Sequence, residues 1–148
     1  MTDGVHRAGY REAIALPGLT SESVVAKLDT GAEWSVADAD SVRQVERDGE
    51  ARVAFSLVLE RSGDRPIAIE SEAPLISWRR VRSSNGAIEE RPVVRVVAGL
   101  GGLEFPLELT LTDRRNMSHR LLLGREALAG RFLVDSGAEF VASERPVS

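Results

Sequence analysis

The chain has 148 residues, a formal net charge of −4, 43% hydrophobic and 28% charged residues, and no cysteine. This length suits one domain with a real core, and the missing cysteines exclude disulfides, thiol catalysis and thiolate metal sites. The negative charge argues against a general nucleic-acid binder, and neither a membrane span nor an apolar signal core is visible, so a cytoplasmic protein is expected. Charge is unevenly spread: Ile76 to Arg131 carries ten arginines against six acids. A solvated surface accounts for such a bias, and so would an anionic partner facing the second half.

Alternation of apolar, often β-branched, residues with polar ones dominates the chain and predicts short strands. In order, these are Arg11 to Pro17, Ser23 to Leu28, Arg52 to Glu60, Pro66 to Ser71, Trp78 to Arg82, Arg91 to Val97, Phe105 to Thr112, Arg120 to Gly124 and Phe132 to Ser136. Asn85-Gly86 is a tight-turn signal, because both residues tolerate positive φ. Gly99 to Gly102 reads as a hairpin turn, since no helix follows it. A weak helix is expected between Asp38 and Asp48, and the best helix candidate is Arg125 to Phe132, closed near Gly130. The pattern indicates a small β-barrel or sandwich.

One apolar segment ends in Asp29-Thr30-Gly31-Ala32. A carboxylate at a strand end beside a glycine turn can project into a cleft, and the glycine N–H can hold it. By itself the triplet is also compatible with a plain turn. Far downstream, Leu121-Leu122-Leu123-Gly124-Arg125 joins an apolar strand, a glycine, an arginine and a short helix. This ordered pair, with Val81 to Val94 between, resembles the retropepsins, the single-domain aspartic peptidases. More narrowly, residues 9 to 135 are similar to a bacterial family long labelled ATP-dependent zinc proteases and associated with ATP-grasp peptide ligases of the RimK type. The label does not match the residues: only His6 and His119 could supply nitrogen ligands, and no Walker-type phosphate loop occurs. No metal and no cofactor are therefore expected.

The resemblance implies a mainly β fold, a single-domain closed β-barrel with one short C-terminal helix. The domain would occupy residues 9–136, with 1–8 and 137–148 as terminal extensions. The chemistry then demands two carboxylates sharing one proton, because two like charges a few ångströms apart cannot both ionise. With one such motif in this length, a homodimer would bring Asp29 against its copy. Asp135-Ser136-Gly137 is a rival second motif, but only 13 residues follow Asp135, too few for another half-site. Thr30, Gly31, Ala32, Glu33, Gly124 and Arg125 would support the catalytic loop, with Glu33 and Arg125 expected to form an ion pair. Ser83, Ser84, Asn85, Gly86 and Ala87 would form a flap, with Arg82 and Arg91, and Arg79 and Arg80 nearby, suiting an acidic peptide.

The chain departs from the family at Glu33-Trp34-Ser35 and at Ala37-Asp38-Ala39, which puts specificity in doubt; Trp34 is expected to pack on the core. The expected partners are a second copy, a peptide or protein substrate and an ATP-grasp ligase. The competing expectations are a non-catalytic binding module on the same fold and a metal-dependent hydrolase.

Overall fold

A computed structural model describes residues 5–62, 65–82 and 86–146. The described elements are β1 (His6–Ile14), β2 (Val24–Leu28), β3 (Ser35–Arg47), β4 (Glu50–Ser62), β5 (Arg65–Arg82), β6 (Ile88–Leu100), β7 (Leu103–Thr112), β8 (Leu121–Leu123), α1 (Arg125–Leu128) and β9 (Phe132–Glu139). The chain is mainly β, as expected. The strands form one sheet in the order β4-β5-β6-β7-β3-β8-β2-β1-β9, and β3 pairs also with β4.

Alternation sets the core. Successive side chains of a strand point to opposite faces, so every second residue can be buried together. Val53, Phe55, Leu57 and Leu59 of β4, Val94, Val96, Ala98 and Leu100 of β6, and Phe105, Leu107, Leu109 and Leu111 of β7 are all buried. Each large apolar side chain removed from water contributes about 1.5–3 kcal/mol. Gly101-Gly102 turns β6 into β7, with Leu100 opposite Leu103, so the glycine-rich stretch is the hairpin expected.

Three local expectations are corrected. The helix expected between Asp38 and Asp48 is strand: this stretch belongs to β3, which pairs with β4 from Ala39 to Arg47. The overlooked signal is Asp48-Gly49. Both residues have positive φ, 52° and 78°, which matches the two-residue turn whose twist fits a hairpin. Second, the segments expected as separate strands at Pro66 to Ser71 and Trp78 to Arg82 are parts of one long β5, continuous because β4 pairs with its first half and β6 with its second. Third, the helix closed near Gly130 covers only Arg125–Leu128, burying Ala127 and Leu128. Ala129 is already extended, and the chain enters β9 two residues after Gly130.

Topology positions the site. β3 lies between β7 and β8 through Ser35–Asp38, parallel to the first and antiparallel to the second. β2 runs parallel to β8, with Leu28 opposite Leu123. Two strands that run the same way end side by side, so Asp29 after β2 and Gly124 after β8 become neighbours.

Candidate active site

The Asp29 loop is built from backbone contacts. The Asp29 N–H donates to the Leu123 carbonyl (2.8 Å), and the Arg125 and Glu126 N–H groups donate to the carbonyls of Ala32 (2.7 Å) and Glu33 (3.1 Å). The Gly124 N–H donates to the Oγ of buried Ser35 (3.0 Å). The two segments cross so closely that a Cβ on Gly124 would lie 2.5 Å from the Trp34 carbonyl oxygen. Glycine is required there by close approach.

The side chains complete the loop. Asp29 Oδ1 accepts the Gly31 N–H (2.9 Å), as the sequence suggested. Its Oδ2 lies 3.8 Å from Lys27 Nζ, and the Asp29 side chain retains 27% of its exposure. The carboxylate is thus held from one side and open on the other. Arg125 donates from Nη1 to the Thr30 carbonyl (3.1 Å). The expected Glu33–Arg125 ion pair is not formed: Arg125 braces the loop through backbone, and both side chains line an open depression with Trp34, Arg79, Glu108 and Glu126.

Trp34 does not pack in the core either. It is 38% exposed, with the Arg79 guanidinium 3.9 Å over its ring, a cation–π arrangement. Arg79 also donates to Thr110 Oγ1 (2.8 Å), so β5 is tied to the loop that follows Asp29. Beside this contact, burial and the neighbouring Glu108 and Glu33 carboxylates raise the pKa of Glu126, while Arg79 opposes them.

Ser83, Ser84 and Asn85 lie outside the described residues. Gly86 and Ala87 lead into β6, and Arg82 donates to the Gly86 carbonyl (2.9 Å). Between this end of the β5–β6 pair and the 112–117 segment lies a cleft of 610 Å³, lined by Val36, Val81, Arg82, Glu89, Arg91, Thr112, Asp113, Arg114, Asn116 and Met117. Arg91 pairs with Glu89 (2.9 Å). Asp29 lies outside this lining, but its charge acts on Arg114.

Sequence reasoning missed a buried carboxylate that holds the 114–120 segment. Asp38, singled out only as a departure, is 4% exposed. It pairs with Arg120 (2.5 Å) and accepts the Arg114 N–H (2.8 Å). Arg114 Nε donates to the His119 carbonyl (3.0 Å). Burial lowers the pKa of Arg114, with Asp38 and Asp29 opposing, and burial together with nearby cations lowers that of His119. The dense arginines of the 113–120 segment were the available signal.

Asp135 repeats the local geometry of Asp29, its Oδ1 accepting the Gly137 N–H (2.9 Å). It lies within β9 opposite Gly9 and pairs with Arg7, whose hydrogen bond lowers the Asp135 pKa. Among the described residues no three His, Cys, Asp or Glu side chains gather to hold a metal ion. No helix among the described residues is long and apolar enough to cross a membrane.

The Asp29 loop thus crosses Gly124-Arg125 through backbone contacts. The chain belongs to the RimB-like family, whose model, described as retropepsin-like aspartic endopeptidase RimB, matches residues 7–145. It is 38% identical over 145 residues to a probable alpha-L-glutamate ligase of Shewanella halifaxensis, covering 98% of this chain and 31% of that protein. It is 40% identical over 127 residues to a protein of the same description from Parasynechococcus marenigrum, covering 86% of this chain and 27% of that protein. The chain thus spans less than a third of the curated relatives it matches. A solved structure, protein Lpg0085 of unknown function from Legionella pneumophila, superposes with a TM-score of 0.74 at 25% identity, covering 95% of this chain and 98% of that one.

Proposed function

We propose that the chain is an aspartic peptidase that acts as a homodimer, one Asp29 from each subunit forming the dyad, on acidic, glutamate-rich peptides. The observation that carries this reading is the parallel β2–β8 pairing, which sets Asp29 against Gly124-Arg125 with Gly31 holding its carboxylate. One carboxylate of the dyad would take a proton from water while the other, protonated, donates to the scissile carbonyl. Thr30, Gly31, Ala32, Glu33, Gly124 and Arg125 position the loop. Arg82 and Arg91 line the cleft that would take the peptide.

The family description supports the reaction class, and the arginines of the cleft support an acidic substrate. The ligase names of the relatives support a working link to an ATP-grasp ligase that adds the residues this enzyme removes. The closed-barrel form belongs to this reading: the run β4-β5-β6-β7-β3 is joined back to β4 by the β3–β4 pairing. So do the peptidase boundaries, 9–136. Asp29→Asn is expected to abolish hydrolysis of an oligo-glutamate peptide followed by mass spectrometry; unchanged hydrolysis overturns the assignment.

A further inference from the structure

Three arginines line the cleft between the β5–β6 pair and the 112–117 segment, and they are not equivalent. Arg91 is matched to Glu89. Arg82 is exposed and turned to the Gly86 carbonyl. Arg114 is partly buried, yet among the described residues it forms no ion pair. Its neighbours are matched away from it: Arg115 takes Asp113 (2.7 Å), and Arg120 takes the Asp38 carboxylate.

Arg114 is nevertheless firmly placed. Its backbone N–H is held by Asp38 Oδ1 and its Nε by the His119 carbonyl. Among the described residues, neither Nη group has a hydrogen-bond partner. A partly desolvated guanidinium without a counter-ion is costly, and a carboxylate offering two oxygens is the group that best relieves it. Burial acts against the charge of Arg114, and only the more distant fields of Asp38 and Asp29 oppose that.

Resting on the proposed peptidase site, we infer that Arg114 is a specificity-determining residue, its free guanidinium edge receiving a carboxylate of the peptide bound in the cleft that Arg114 lines. The carboxylate belongs either to a glutamate side chain or to the peptide's C-terminus. Both present the same planar anion, and an arginine lining the cleft can receive either.

The test measures binding rather than hydrolysis, so it stands apart from the peptidase assignment. A tetraglutamate peptide, its tetraglutamine counterpart and the C-terminally amidated tetraglutamate are titrated calorimetrically into the Asp29→Asn chain, with and without Arg114→Gln. A charge-assisted hydrogen-bond pair of about 1.4 kcal/mol corresponds to about ten-fold in affinity. If a side chain is the ligand, tetraglutamate is expected to bind about ten-fold more tightly than tetraglutamine, and Arg114→Gln to remove most of that difference; if the C-terminus is, both free-acid peptides bind about ten-fold more tightly than amidated tetraglutamate and lose that advantage in Arg114→Gln. If amidation alone removes the Arg114 dependence, the C-terminal carboxylate is the ligand; if glutamine substitution alone does, it is the side chain.

Equal binding of tetraglutamate, amidated tetraglutamate and tetraglutamine by the chain that retains Arg114 overturns the inference, without any Arg114 variant having to fold. So does an Arg114→Gln chain that binds all three peptides as tightly as the chain that retains Arg114. Failed hydrolysis with intact Arg114-dependent binding would count against the peptidase reading alone.

Discussion

At the scale of single residues, two positions are fixed by contacts that allow no substitute. Gly124 meets the Trp34 carbonyl, so Gly124→Ala forces the crossing segments apart. A loss of roughly 1–3 kcal/mol in chemical denaturation is expected, the usual cost of overpacking. Glu12 is fully buried; its carboxylate accepts the N–H groups of Gly9 (2.7 Å), Val141 (2.8 Å) and Ala142 (3.0 Å) and the Ser143 hydroxyl (2.5 Å). Glu12→Ala would strand those donors, at about 1–3 kcal/mol for each one left buried and unpaired. The 141–143 segment should then become more open to amide exchange. The Gly31 N–H on the Asp29 carboxylate was legible in the sequence because it spans two residues, whereas the link to Gly124-Arg125 was reached only through the family resemblance. Arg114, Asp38 and the Trp34–Arg79 stack were not legible, because each depends on a partner more than thirty residues away or on a fold-level crossing.

At the scale of elements, strand alternation was readable wherever one face is buried, as in β4, β6 and β7. It failed in β3, where polar residues outnumber apolar ones beyond Asp40 and the pairing with β4 supplies the stability instead. The Asp48-Gly49 turn carried the correct answer. Gly49→Val places a β-branched residue at a φ of 78° and is expected to destabilise the β3–β4 hairpin by about 1–2 kcal/mol, measured by thermal or denaturant melting. At α1, burial and the acidic neighbours of Glu126 raise its pKa. The folded chain therefore binds that proton more tightly than the unfolded chain does. The contribution is most favourable at acid pH and declines as pH rises from the ordinary glutamate value through the raised one. Glu126→Gln should flatten this part of the melting-temperature profile and raise the melting temperature at neutral pH; an unchanged profile contradicts the assigned environment.

At the scale of the whole molecule, the proposed dyad needs a second Asp29 beside the one that Gly31 holds. Asp135 is matched to Arg7 within β9 and stands apart from the crossing at Gly124. The proposed chemistry therefore depends on assembly, and the direct measurement is subunit mixing. Native and Asp29→Asn chains are equilibrated at equal concentration, with total protein held constant, and peptide hydrolysis is followed. If each dyad takes one Asp29 from each subunit, activity falls to about one quarter of the native value, because only that fraction of dimers is wholly native. A fall to one half would show that each subunit acts alone and would contradict the account.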